Sequence, residues 1–411
     1  MLYDLANTIY AASLTYIFAP FYRETFGHRT PLGVTQTLSM ILAGLAVPVL
    51  GAIADRTGRA RLYLSWSTVL CIAAFAGMGL VRAEAGLLGA LFVANVAYQT
   101  ALVFYNALLP SAAGPNTGLI SGLGVALGYF GNIVTLMLFI PLGRWMGTQG
   151  SLLAFAALFL AFALPCMLWV PDLREGRQHR LAPWALARDA WSGLARTLRE
   201  LPSQRPILYF LLGNFLLVDT LNTAILYFAD VTGQFFTGPF RAGQLTLFGR
   251  AFQPNPDGTG LGEFIKVVGL ILTTSAVLFG VLIGSWANRG TGLRPLRFSG
   301  WCLVVALIGG AVFGGRHAEA YVLTMAVVGA IGLAGIWTAG RKVLLVLAPP
   351  EKVGEYFGLY GITTKLSVIG STVFGVVSDL FGLRTAIGSQ AGFLIGGLIC
   401  LYLVRIRQPA K

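Results

Sequence analysis

Apolar runs of about 20 residues, each closed by a short polar turn, recur along the whole chain and restrict its fold more than any other feature. A run of that length crosses a bilayer as a helix, because in lipid every backbone N–H and C=O must be satisfied within the segment. Such runs lie near 4–23, 33–54, 62–82, 86–109, 119–141, 150–170, 206–229, 262–286, 295–314, 320–346, 355–378 and 384–404, twelve in all. Hydrophobic residues make up 56% of the 411 and charged residues only 11%, too few to clothe a soluble protein of this size. The chain is expected to be an all-α polytopic membrane protein.

The net charge of +13 would point to nucleic acid in a soluble protein, but here its distribution matters more. One set of alternate loops, including Arg56, Arg59, Arg61 and the cluster from Arg174 to Arg205, carries 19 Lys and Arg, and the opposite set, including Arg23, Arg29 and Arg241, carries 8. The excess places the first set and both termini in the cytoplasm, with the protein in the plasma (inner) membrane and no nucleic-acid partner. Cys71, Cys166, Cys302 and Cys400 all fall within apolar runs, and His28, His179 and His317 are scattered in loops. Neither set suggests a disulfide framework or a metal site. No phosphate-binding loop and no nucleophile motif stands out, so neither a catalytic role nor a cofactor is expected. No cleavable signal is visible ahead of the first run, which is expected to serve as its own uncleaved signal. Its abrupt start at Met1-Leu2-Tyr3 leaves room for a true beginning further upstream.

A tight turn of charge and glycine, Gly51-Ala52-Ile53-Ala54-Asp55-Arg56-Thr57-Gly58-Arg59, follows the second run. It reappears after the eighth as Gly284-Ser285-Trp286-Ala287-Asn288-Arg289-Gly290, with Asn in place of Asp. Repetition of one turn in both halves implies duplication, hence two pseudo-symmetric six-helix bundles. The expected division is 1–170, a cytoplasmic linker over 171–205, and 206–411. Within the linker, Trp184, Ala187, Trp191, Leu194 and Leu198 recur at spacings of three and four, the pattern of an amphipathic helix lying on the membrane surface or of a plain anchoring linker. Asp230 to Gly262 reads as a long outer loop. Glycines four apart, at Gly118 and Gly122, Gly124 and Gly128, Gly280 and Gly284, Gly354 and Gly358, and Gly388, Gly392 and Gly396, are expected to let helices approach closely.

The turn at Gly51, Asp55, Arg56, Gly58 and Arg59 resembles the G-x-x-x-D-R-x-G-R-[RK] hallmark of the major facilitator superfamily, with Ala60 at the final basic position and Arg61 one later. A narrower likeness starts at Tyr3-Asp4-Leu5-Ala6-Asn7-Thr8-Ile9-Tyr10, close to the Y-D-x-A-N-S-x-[YF] opening of the branch that includes the fungal vacuolar amino-acid effluxer of autophagy and its bacterial relatives. Leu123 to Tyr129, and Glu355 to Tyr360 with Lys365, are similar to that branch too. The resemblance implies the twelve-helix major facilitator fold, a secondary transporter, and a gating role for Gly51, Asp55, Arg56, Gly58 and Arg59. In such a gate Asp55 docks at the start of the eleventh helix, near Gly354, while the two arginines tie neighbouring helix ends together.

Asp219 lies inside the seventh run and Lys365 near the middle of the eleventh. A lone charge at the bilayer centre costs about 2.5 to 3.5 kcal/mol on insertion scales, so each needs a protein or water partner. They are expected to pair, either as a proton or substrate site or as a static ion pair. Asp219, Asn222 and Thr223 repeat the spacing of Asp4, Asn7 and Thr8, so each half offers a carboxylate, an amide and a hydroxyl on one helical face. In transporters built from repeats such sets face the solute. Asp4, close to the start, also suits a terminal cap. Asn95, Gln99 and Asn106 form a polar stripe in the fourth run, suited to lining a cavity or to bonding between helices.

These residues point to a monomeric secondary active transporter that moves a small polar solute by alternating access. Amino acids or related metabolites as the solute, and outward movement, rest on the resemblance, and proton coupling on the intramembrane Asp219 and Lys365. The other class left open is a transport-inactive receptor, scaffold or regulator.

Overall fold

The computed structural model describes residues 2–113, 117–172, 188, 191–192, 195–196, 199–254, 260–348 and 353–405, without the side chains at 48, 51–57, 106, 109–113, 117–126, 288, 353–355 and 357–358. Apart from one two-stranded hairpin, the described elements are helical. They begin with α1 (Leu2–Ser13), a π-helical turn (Leu14–Phe18), α2 (Ala19–Phe26), α3 (Thr30–Thr57), α4 (Ala60–Leu80), α5 (Glu84–Ala113) and α6 (Thr117–Trp169). There follow α7 (Arg205–Arg241), the hairpin β1 (Thr246–Leu247) and β2 (Arg250–Ala251), α8 (Gly260–Asn288), α9 (Leu293–Phe313) and α10 (Ala318–Tyr321). A second π-helical turn (Val322–Val328), α11 (Gly329–Leu347), α12 (Val353–Leu366), α13 (Ile369–Phe381) and α14 (Leu383–Leu403) complete the chain.

Among the described residues, ten helices are long and apolar enough to cross a membrane. The fifth and sixth expected runs form one of these, the 43-residue stretch Leu127–Trp169, in which Gly147 leaves helical geometry (φ 70, ψ 177). The first run is interrupted by its π-helical turn. Trp66, Trp145, Trp169, Leu282 and Leu380 stand on the outside of these helices, the apolar exposure expected of a surface that meets lipid rather than water.

Two compact units are distinguished, one over 1–21 and 34–197, the other over 22–33 and 198–411. In the first, Tyr10 packs edge-on against Phe75 at 5.1 Å and lies 6.2 Å from Phe159, all three rings buried. In the second, Phe236 sits between Phe264 at 4.9 Å and Tyr321 at 5.1 Å.

Three expectations change. The seventh run does not end at Asp230: α7 continues to Arg241, because Asp230 is buried against a cation rather than solvated at a loop. The eleventh run is not one helix but α12 and α13, broken at Ser367 and Val368, where Val368 takes φ −148 and ψ 3. Of the glycines expected to pack, Gly388 and Gly392 have no neighbour within 4 Å of a built Cβ, whereas Gly280, Gly284 and Gly396 have Ala334, Thr338 and Leu216 at 3.8, 3.4 and 3.5 Å; on the last helix the close backbone approach falls instead at Gly397, against Gly213. Most of the expected amphipathic linker helix, Trp184 and Ala187 included, lies outside the described residues; Arg188, Trp191, Ser192, Ala195, Arg196, Arg199 and Glu200 are helical.

Candidate functional site

A spanning helix that stops and restarts leaves unpaired amides and carbonyls in an apolar medium, and each must find a partner. At the break between α12 and α13 the partners come from α7. Asp219, fully buried, accepts the Gly370 N–H on both carboxylate oxygens, at 3.0 and 2.9 Å. One turn further on, the Asn222 amide donates to the Ser367 carbonyl at 2.8 Å. The side-chain spacing of α7 therefore matches the two loose ends of the broken helix. A carboxylate at a helix N-terminus is also where the peptide dipoles favour negative charge.

Asp219 is accordingly not the ion-pair partner of Lys365. Lys365 sits in the last turn of α12, on the far side of the break, where a cation complements the carboxyl-terminal end of a helix. A side chain at 370 would displace these groups, since a Cβ there would overlap Asp219 Oδ2 and lie 2.9 Å from both Gln390 Oε1 and Thr223 Oγ1. Gln390, on α14, donates through Nε2 to the Gly370 carbonyl at 3.1 Å, which adds a third element to the site.

The corresponding face of α1 has the same local construction. Thr8 Oγ1 donates to the Asp4 carbonyl at 2.9 Å, as Thr223 Oγ1 does to the Asp219 carbonyl at 2.9 Å. A glycine again faces the hydroxyl, for a Cβ on Gly128 would stand 3.1 Å from Thr8 Oγ1. Asp4 is half-buried and accepts the hydroxyl of Tyr105, so it has a partner on α5. Asn7 is 5% exposed, and among the described residues its amide nitrogen and oxygen both lack a hydrogen-bond partner.

The fourth-run stripe divides. Asn95 accepts the Tyr10 hydroxyl at 2.7 Å and donates to Gln36 Oε1 at 2.6 Å and to Ser39 Oγ at 3.3 Å, so it ties three helices together. Gln99 is half-buried, and the side chain of Asn106 lies outside the described residues. Of the gating set, Gly51, Asp55 and Arg56 belong to the helical backbone of α3, with side chains outside the described ones. Gly58 ends that helix at φ 64, a conformation that favours glycine, and Arg59 is exposed. Arg61 donates its backbone N–H to Asp172 Oδ1 at 2.7 Å, which caps α4.

The family model described as "Vacuole effluxer Atg22 like" matches residues 32–411. The chain belongs to that family. Among its relatives it is 24% identical to an uncharacterized MFS-type transporter, YxiO, of Bacillus subtilis (strain 168), over 98% of this chain and 93% of that one. It is 26% identical to Autophagy-related protein 22 of Yarrowia lipolytica over 63% of this chain, and the match spans only 45% of that longer protein. The nucleoside transporter NupG shares its fold with a TM-score of 0.73 at 15% identity, covering 98% of each chain. The inward-open xylose transporter XylE from E. coli does so at 0.66 and 12%, covering 100% of this chain and 96% of that one. The chain is thus a member of the major facilitator superfamily in its Atg22 branch.

A second buried cluster in this family member goes beyond what the sequence suggests. In the unit formed by 22–33 and 198–411, Arg29 is 4% exposed and donates from Nε to Asp230 Oδ2 at 2.6 Å, from Nη2 to Gln234 Oε1 at 2.7 Å and from Nη1 to Ser378 Oγ at 3.0 Å. Asp379 caps the start of α3, accepting from the amides of Arg29 and Thr30 at 3.0 and 2.8 Å. By sequence alone Arg29 reads as one more outer-loop cation. The available signal is the two carboxylates, Asp230 and Asp379, at the ends of otherwise apolar runs.

Proposed function

We propose that the protein is a secondary active transporter of a small polar solute, most simply amino acids or related metabolites, working by alternating access with proton-coupled efflux. The observation that carries this reading is the broken eleventh span. Interrupting a helix at membrane depth is costly and is tolerated where protein or a water-filled cavity satisfies the freed backbone groups, and transporters of this kind build their solute and ion sites at such breaks. Here the interruption is served by Asp219 and Asn222, with Lys365 beside it. Within the other unit, Asn7 and Gln99, with Asp4, offer amide and carboxylate groups suited to a zwitterion. Family membership supports the transporter class, and the words "vacuole effluxer" in the family description support the direction. In this reading the protein sits in the plasma membrane with both termini in the cytoplasm, as the basic loops favour.

Purified protein in liposomes under an imposed proton gradient, assayed against panels of amino acids, sugars and drugs, tests the proposal. At least one amino acid should move and should also raise the melting temperature. If no compound moves and none shifts stability, the receptor or scaffold reading replaces this one.

Asp55 is proposed to bias the two access states. A carboxylate docked on a helix N-terminus contributes about 0.3 to 1 kcal/mol, up to about 2 when partly buried, enough to shift two nearly balanced states several-fold without locking either. Asp55→Ala should therefore change the labelling of engineered cysteines on both faces by several-fold; identical labelling in both proteins removes Asp55 from the gate.

A further inference from the structure

The niche around Asp219 holds more hydrogen-bond acceptors than donors, and the imbalance is fixed by geometry. Thr223 Oγ1 gives its hydrogen to the Asp219 carbonyl at 2.9 Å, so only its lone pairs remain to face the niche. Gln390 gives Nε2 to the Gly370 carbonyl at 3.1 Å, which turns Oε1 inward, and Oε1 has no partner among the described residues although Gln390 is 2% exposed. Rotating the amide does not help, because it would set Oε1 against the Gly370 carbonyl, acceptor on acceptor. The backbone of Gln390 is fixed as well, its carbonyl accepting Thr220 Oγ1 at 3.3 Å. Both Oε1 and Oγ1 lie 2.9 Å from the position a Cβ on Gly370 would take, where it would also overlap Asp219 Oδ2. Three oxygens of three kinds, carboxylate, amide and hydroxyl, therefore converge beside one glycine.

An unpartnered buried acceptor next to a buried carboxylate calls for a positive partner between them. Among the described residues the hydrogen-bond partner of the Asp219 carboxylate is the Gly370 amide of α13, while Asp230 and Asp379 on the same elements are engaged by Arg29 and Thr30. We infer that Asp219, Thr223 and Gln390 form a binding site for a small monovalent cation, a proton shared between Asp219 and Gln390 or a sodium ion held by all three oxygens. A single carboxylate balances one positive charge, and oxygen-only donors suit a hard cation. The inference deepens the transporter reading by assigning its coupling ion to this site. It also stands apart from that reading, since a transport-inactive protein with the same niche would bind the same cation.

The test uses purified wild-type protein with neither solute nor gradient. Melting temperature is titrated with sodium chloride against potassium chloride at constant ionic strength, and proton uptake is followed in weakly buffered solution. Sodium-specific stabilisation, weakened about tenfold or more in apparent affinity by Thr223→Val and by Gln390→Leu, identifies sodium, the factor following from loss of one bond to a charged group. Indifference to sodium combined with a proton uptake that Asp219→Asn removes and Gln390→Leu shifts identifies the proton. Thr223→Val is nearly isosteric and leaves the Gln390–Gly370 bond in place, so it reads the site even if Gln390→Leu fails to fold. A wild-type protein that shows neither sodium stabilisation nor Asp219-dependent proton uptake overturns the inference, whatever the transport assays give.

Discussion

Asp219→Asn should bring uptake driven by an imposed proton gradient down to the level of empty liposomes while leaving folded protein in the membrane. Asn and Asp are comparable helix caps, so the D219N variant keeps one acceptor for the Gly370 N–H while it exchanges the second oxygen for an amide donor and loses the ionisable charge. The stability lost is that of a charge at a helix N-terminus, about 0.3 to 1 kcal/mol and up to about 2 in a partly buried setting. Asp219→Ala removes the acceptor as well and leaves a buried amide unsatisfied, a further cost of about 1 to 3 kcal/mol. The two variants should thus be equally inactive but unequally stable. Gradient-driven flux that survives in the Asn variant would take Asp219 out of the coupling mechanism, and equal stability of the two would show that the cap contributes nothing.

Arg29→Ala should destabilise the fold severely. It strips the partner from Asp230, whose side chain is 3% exposed, and removes donors from Gln234 and Ser378 at once. Breaking a buried pair from one side costs about 3 to 5 kcal/mol, because the remaining charge stays buried without compensation. Neutralising that charge should restore much of the loss, so the double variant Arg29→Ala with Asp230→Asn should be more stable than Arg29→Ala alone. Arg29→Lys should fall between, since one ammonium cannot reproduce three donors held in a planar fork. The measurement is thermal or denaturant unfolding in detergent. A double variant no more stable than the single one would show that packing, not the ion pair, sets the cost.

Much of the local logic was legible in the sequence. The repeated spacing of Asp4, Asn7 and Thr8 in Asp219, Asn222 and Thr223 does correspond to a shared local geometry, with the same hydroxyl-to-carbonyl bond on each helix and a glycine facing it. That spacing was readable because offsets of three and four fix which side chains share a helical face. What those side chains meet is not encoded locally. Lys365 stands out as the only opposite charge in the facing run, so pairing it with Asp219 is the economical expectation. The carboxylate instead takes the free amide created by a helix break that no proline marks. Asn95 likewise gives no sign of whether its amide faces a cavity or the Tyr10, Gln36 and Ser39 side chains that hold it.

The sequence by itself determined that this is a helical membrane protein, because the length and continuity of apolar runs answer to one physical demand, the satisfaction of backbone polar groups in lipid, while its likeness to the major facilitator kind rested on the Gly51–Arg59 turn. Only the tertiary structure decided where that demand is met by a side chain instead. Asp219 and Asn222 complete the backbone of a distant span, and Arg29 lets a helix carry Asp230 past the point where its apolar run ends. A buried charge or a broken helix is stable only through a partner far away in the chain, and distance along the chain says nothing about which partner that is.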